Sequence, residues 1–267
     1  MIRDITIGQY YPADSLLHRL DPRTKLMGTL IFIISVFLFH TIPGYAVATI
    51  FLAALIKISK VPVKFIFKGL KAIFVILIIT MIFNVFLTPG EVIWKLGFLK
   101  MTKEGISLAV RMAIRLIYLV IGSSLMTLTT TPNQLTDGLE RGLRPLNRLH
   151  VPVHEISMMM SIALRFIPIL LEETDKIMKA QIARGADFEN GNLIQKVKNM
   201  VPLLVPLFIS AFRRANDLAM AMEARCYHGG DHRTQMKPLC YEKRDHVTYL
   251  ILAAYLAVAI TFRVVGI

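Results

Sequence analysis

The 267-residue sequence predicts an all-α integral membrane protein with about five transmembrane helices plus long amphipathic cytoplasmic helices. Hydrophobic residues make up 55% of the chain and mean hydropathy is +0.56, more apolar surface than one soluble core of this length needs to bury. Four long uncharged runs, Leu26 to Ile56, Ala72 to Gly90, Leu116 to Thr136 and Val247 to Phe262, are too much for a secretion signal or buried helices alone. The cationic residues, finally, gather on one side of those runs.

Residues 1–25 read as a cytoplasmic N-terminal segment. The chain opens Met1-Ile2-Arg3-Asp4 and stays polar until Leu26, so no cleavable signal is expected. Asp21 can cap a helix whose first position is Pro22, and Arg23 and Lys25 can reach lipid phosphates below the apolar run.

Residues 26–131 hold transmembrane helices one to four. Leu26 to Ile56 is longer than one bilayer crossing requires, and Pro43-Gly44 interrupts it, so two short helices joined by a hairpin are expected. Lys57, Lys60, Lys64, Lys68 and Lys71 separate spans two and three. The fourth span, Leu116 to Thr131, follows Arg111 and Arg115 on one helix face, which either line a permeation path or, more plainly, snorkel or pair with another helix.

Residues 132–246 form a cytoplasmic and interfacial region that is amphipathic throughout. Pro132 and Asn133 open a helix to Leu149, with Leu135, Leu139, Leu143, Leu146 and Leu149 at helical spacing. Two longer helices follow, Val153 to Gly185 and Asn192 to Cys226, with kinks expected at Pro168, Pro202 and Pro206. Residues 247–267 supply the last span. Arg3, Arg19, Arg23 and Lys25, the lysine loop, and sixteen Lys and Arg between Thr131 and His246 place the N-terminus and 132–246 in the cytoplasm and the C-terminus outside. This distribution also explains the net charge of +13 without nucleic acid.

Cys226 and Cys240 fall in the cytoplasmic segment, where free thiols are expected. With His228 and His232 they raise the possibility of a metal site, but no CxxC or HxxxH spacing appears, and no metal or cofactor is expected.

The two long helices end alike. Ala180-Gln181-Ile182-Ala183-Arg184-Gly185 and Ala221-Met222-Glu223-Ala224-Arg225-Cys226 share Ala-x-x-Ala-Arg, with their arginines 41 residues apart. A cation in the last turn is favoured by unpaired carbonyls, and small-residue tips suit insertion into two similar grooves; the plainer reading is two solvated charges. Glu172-Glu173 and Arg213-Arg214 occupy equivalent positions before the two tips and carry opposite charges, which can pair if the helices cross there. Met158-Met159-Met160, Met220 and Met222 add soft side chains suited to a sliding interface or to ordinary packing.

These residues resemble the transmembrane T components of energy-coupling factor (ECF) transporters, importers of the ATP-binding cassette superfamily. The resemblance rests on the run Asp14 to Lys25, on Thr129-Thr130-Thr131-Pro132, on Leu164-Arg165-Phe166-Ile167-Pro168 followed by Glu172, and on Ala183-Arg184-Gly185 and Ala224-Arg225-Cys226. The second tip departs from the family's Ala-Arg-Gly pattern by carrying cysteine. The resemblance implies a scaffold whose two helix tips dock on two ATPase subunits, while the membrane part holds one substrate-binding S component at a time for vitamin or micronutrient uptake. Arg165, Pro168, Glu172, Glu173, Arg213 and Arg214 would lie at the helix crossing or against the S component. The unlike tips favour an ATPase heterodimer.

The chain has no GxxxxGK[ST] phosphate loop, and its acidic residues, most of them on cytoplasmic amphipathic helices, make no plausible Ser/His/Asp or paired-carboxylate site. No catalysis by this chain is therefore expected. The competing reading, a self-sufficient secondary transporter or channel, calls for intramembrane acids or broken inverted repeats, and these are weak here.

Overall fold

In the first helix, α1 (Pro22–Leu38), Asp21 and Pro22 act as their chemistry dictates. The Asp21 carboxylate accepts the Arg23 N–H at 2.9 Å, and Pro22 occupies a first-turn position that needs no donor. The computed structural model describes residues 10–39, 41–96, 99–188, 192–229, 236 and 238–265. They fall into two compact units, Gly8–Gly138 with Leu239–Ile267, and Leu139–Pro238.

In the first unit the 31-residue apolar run divides into α1 and α2 (Ile42–Ser59), as its length requires. The break falls between Leu38 and Ile42, not at Pro43-Gly44. Pro43 sits in the first turn of α2, where its missing N–H costs nothing, and a Cβ on Gly44 would lie 2.5 Å from the Phe39 ring. After α2 come α3 (Val63–Leu87), the antiparallel hairpin β1 (Val92–Leu96) and β2 (Leu99–Thr102), and α4 (Lys103–Thr129). The hairpin was not expected from the loop's charge pattern, although Val92, Ile93 and Trp94 are residues that favour a pleated backbone.

The fourth helix starts earlier than the apolar run because Thr102 caps it, accepting the Gly105 N–H at 3.1 Å. Arg111 and Arg115 therefore lie inside α4. Arg111 is exposed, whereas Arg115 donates to the Phe39 carbonyl at 3.3 Å and lies over the Phe37 ring, the expected pairing with another helix, here at the end of α1. Packed around α1 are α4 and α8 (Lys243–Val265), over a core of Phe32, Val36, Phe39, Tyr45, Ala48, Leu52, Tyr255 and Ala259. The Phe51 and Tyr255 rings stack 4.2 Å apart.

By length and composition, α4, α8 and the next unit's α6 (Val153–Ala183) can each cross a membrane. The segments Val63–Lys71 and Ile73–Leu87, bent by 56°, make a fourth if they count as one span. At 17 and 18 residues, α1 and α2 are shorter than the usual crossing.

The run Asp14 to Lys25 is a polar lock. The Ser15 hydroxyl donates to His18 Nδ1 at 2.7 Å, and His18 Nε2 donates to the Tyr11 carbonyl at 3.0 Å. Burial holds the His18 imidazole below its ordinary value, which suits a neutral ring that accepts at one nitrogen. The Lys25 ammonium donates to the carbonyls of His18 and Thr129 at 3.1 and 2.8 Å. Arg23 grips the Asp21 carboxylate and stacks 3.9 Å from the Tyr241 ring centre, and burial together with the Tyr249 side chain pushes the Tyr241 phenol up to about 12.

Helix α5 (Pro132–Leu143) opens on a reciprocal cap: Thr131 N–H donates to Gln134 Oε1 at 3.1 Å and Gln134 N–H to Thr131 Oγ1 at 3.3 Å. It stops at Leu143 and does not run to Leu149, because Pro145 can neither donate to a preceding carbonyl nor clear it. Residues Arg144–Leu149 wind instead as a 3₁₀ helix. In the second unit, α6 and α7 (Leu193–Ala224) pack against one another with Pro168 inside the first and Pro202 and Pro206 inside the second.

Candidate coupling site

Ala183 and Ala224 are the last residues of α6 and α7, and Arg184 and Arg225 cap them with nearly the same backbone, φ −89° and ψ 4° against φ −94° and ψ 15°. At the first tip Gly185 N–H donates to Ile182 O at 2.9 Å and Ala186 N–H to Gln181 O at 3.0 Å; at the second, Cys226 N–H donates to Glu223 O at 2.8 Å and Tyr227 N–H to Met222 O at 3.0 Å. Each is a complete Schellman closure, with left-handed Gly185 (φ 90°) and Cys226 (φ 55°) in the same role. The cysteine thus leaves the helix-ending geometry intact. Both arginines are exposed, and because the closures use backbone groups alone, neither guanidinium is needed to end its helix.

A side chain in the left-handed region costs about 1 kcal/mol relative to glycine. Cys226→Gly is therefore expected to slow amide hydrogen exchange across 222–227 about fivefold, and Gly185→Ala to speed it across 181–186 by a similar factor. Exchange unchanged in both variants would show that the closures carry no such strain.

The two tips point apart. Gln181 Nε2 donates to the Pro202 carbonyl at 3.3 Å, Arg214 to Glu173 at 2.8 Å, and Met158 and Ile162 share a cavity wall with Leu218 and Met222, so α6 and α7 run antiparallel. Glu173 and Arg214 are themselves 41 residues apart, the spacing of the tips, and each precedes its tip arginine by 11 residues. The ion pair therefore joins equivalent positions of the repeat and marks a local two-fold axis between the helices. At about 1.5 Å per residue the tip arginines lie roughly 35 Å apart, on opposite sides of that axis.

Glu172, Arg213 and Arg165 are exposed, and Pro168 lies within α6 one turn before Glu172. Arg214 and Glu173 are partly exposed, which limits the pair to about 0.5–1 kcal/mol. A double-mutant cycle of Glu173→Gln and Arg214→Gln on the thermal unfolding of the chain is expected to return a coupling of that size. A coupling of zero would remove the ion pair as a pin of the crossing.

Two features gave no sequence signal. Glu140, near the end of α5, accepts from His154 Nδ1 and from the Ser157 hydroxyl, both at 3.0 Å, across separations of 14 and 17 residues, and so clamps the start of α6. Beside the second tip, a cavity of about 500 Å³ is lined by Met158, Ile162, Leu218, Met222 and residues 225–229. Of the residues weighed for a metal, Cys226 and His228 belong to this tip, Cys240 is an exposed thiol ahead of α8, and His232 lies outside the described residues.

The family model for CbiQ, described as a cobalt transport protein, matches residues 13–236. A relative from Clostridium kluyveri named energy-coupling factor transporter transmembrane protein EcfT is 54% identical over 266 residues, covering 99% of this chain and 98% of the relative. The protein of the same name from Ruminiclostridium cellulolyticum is 55% identical over 264 residues (96% and 99% covered), and that from Bacillus subtilis 47% over 260 residues (96% and 98% covered). The chain belongs to the CbiQ family, as a multi-pass bacterial membrane protein of the energy-coupling factor transmembrane component group.

Proposed function

We propose that this chain is the membrane-embedded, non-catalytic scaffold of an ECF importer, transmitting ATP-driven motion of two partner ATPases to a substrate-binding S component for vitamin or micronutrient uptake. The observation that carries this reading is the pair of equally closed arginine tips placed about a two-fold axis. A dimer of ATPases presents two similar grooves about such an axis, and symmetric pairing of surfaces is how assemblies of this kind close. Arg184 and Arg225 would each enter one groove, flanked by Ala183 and Gly185 or by Ala224 and Cys226. The unlike residues beyond the arginines, glycine and cysteine, favour two non-identical ATPases.

The exposed apolar residues of α7, among them Leu204, Val205, Phe208 and Phe212, give the S component a surface to rest on. One S component would be held at a time, close to Arg165, Pro168, Glu172 and Arg213. The positive-inside distribution supports a cytoplasmic N-terminus and 132–246 segment and an extracellular C-terminus. Purification in mild detergent with mass spectrometry is expected to recover two ATPase subunits and an S component with the chain. Substrate flux by the chain alone in liposomes would overturn the reading.

A further inference from the structure

Between α5 and α6 the chain makes a 3₁₀ helix, Arg144–Leu149, and this winding rearranges the side chains. With three residues per turn, residues at i and i+3 lie one above the other. Leu146 and Leu149 therefore fall on a single edge, continued by Leu143 at the junction with α5, where α-helical winding would spread them over about a third of the circumference. The edge on one side carries Arg144, Asn147 and His150; the edge on the other carries Pro145 and Arg148. None of this is turned inward: Leu143, Leu146 and Leu149 are 42%, 37% and 74% exposed, and every residue from 142 to 150 is exposed.

An apolar ridge with a cation on each flank has the chemistry of an interfacial wedge. Leucines enter the acyl boundary of a bilayer while arginines on either side meet headgroup phosphates. Only cations flank the ridge among the charged side chains of 143–150, so the complementary surface is an anionic one. The elbow is also anchored at its downstream end, where Glu140 ties back His154 and Ser157, so the ridge is presented on a fixed base and not on a loose loop.

We infer that residues 143–150 form an anionic-lipid binding wedge that seats the elbow between α5 and α6 in the headgroup layer of the bilayer. Where the start of α6 is held by the membrane, its opposite end at Arg184 is the part left to move, so on the scaffold reading above the wedge is the fulcrum of the first long helix. The wedge itself does not depend on that reading.

The test is a fluorescent label on Leu146→Cys, in a chain carrying Cys226→Ser and Cys240→Ser, reconstituted alone in vesicles of phosphatidylcholine with and without phosphatidylglycerol. The label is expected to shift to the blue and to be quenched by lipid-borne nitroxides when phosphatidylglycerol is present. Each arginine near an anionic surface is worth about a fivefold change in partition, so Arg144→Gln with Arg148→Gln is expected to lower the seated fraction by about 25-fold in equilibrium constant. A label open to aqueous quencher in both vesicle types overturns the proposal. So does a label shielded only when ATPase or S-component proteins are added, which would make the ridge a protein-docking surface. Neither result touches the assignment of the arginine tips, which is read by subunit recovery and not by lipid contact.

Discussion

The double variant Arg184→Ala, Arg225→Ala is expected to abolish ATP-driven uptake while leaving the isolated chain as stable as the parent. Both side chains are exposed and both helix ends are closed by backbone hydrogen bonds, so truncation removes nothing the fold uses. A charge-assisted contact in a protein interface is worth about 1.5–3 kcal/mol, so on the proposed docking the two arginines together would hold the ATPases by roughly 3–6 kcal/mol, more than a hundredfold in affinity. Because the tips lie on opposite sides of the α6–α7 crossing and share no partner, the single variants are expected to lose about half of this free energy each, and additively. Lysine replacements, which keep the charge and lose the planar fork, are expected to fall between. Recovery of the ATPases with the chain in mild detergent and uptake into cells are the two readouts. Undiminished uptake by the double variant, at normal expression, would take the coupling role away from both residues.

Much of this arrangement was legible in the chain, and the exceptions have physical causes. The ends of α6 and α7 could be read because Ala-x-x-Ala-Arg followed by glycine states a helix end in local chemistry alone. Cys226 weakened that reading, since the left-handed conformation it adopts is one that composition argues against. The antiparallel course of the two helices was hidden, because periodicity says which face is apolar but not which way a neighbour runs. It became visible only through pairs such as Gln181 with Pro202. The repeat offset of 41 held the clue to the crossing, for a contact between equivalent positions is what a two-fold axis produces.

The helix expected from Asn133 to Leu149 failed at Pro145, whose effect on the preceding turn outweighed the leucine spacing. The break in the first apolar run lies ahead of Pro43-Gly44 for the converse reason: a proline is as much at home in a first helical turn as in an interruption, and Pro43 begins a helix. The run Asp14 to Lys25 showed its cap but not its purpose. The partners of Asp21, Arg23 and Lys25 lie near Thr129, Leu239 and Asp245, more than a hundred residues away in sequence, where no local pattern can announce them.

One of those distant partners supports the second large effect. Asp245, in the first turn of α8, is 1% exposed; one carboxylate oxygen accepts the Asp21 N–H and the other the Glu242 N–H, each at 2.9 Å. Asp21 in turn caps α1 and holds Arg23, which reaches the Leu239 carbonyl and the Tyr241 ring, so a single buried carboxylate fastens the start of α8 to the start of α1. Asp245→Ala strands the buried Asp21 N–H, at a cost of about 1–3 kcal/mol, and a part-buried Glu242 N–H at a smaller one, and is expected to destabilise the chain by roughly 2–4 kcal/mol, lowering the unfolding midpoint in detergent by on the order of 5–15 °C. Asp245→Asn keeps one acceptor oxygen and turns an amide donor toward the other N–H, so its loss is expected to be smaller but well above that of an exposed substitution. Limited proteolysis supplies the local readout: cleavage near 239–243 should rise in step with the loss of the midpoint, because it is the docking of α8 that fails first. A midpoint for Asp245→Ala within about 1 °C of the parent would mean that the apolar contacts of Leu252, Tyr255 and Ala259 hold α8 in place unaided.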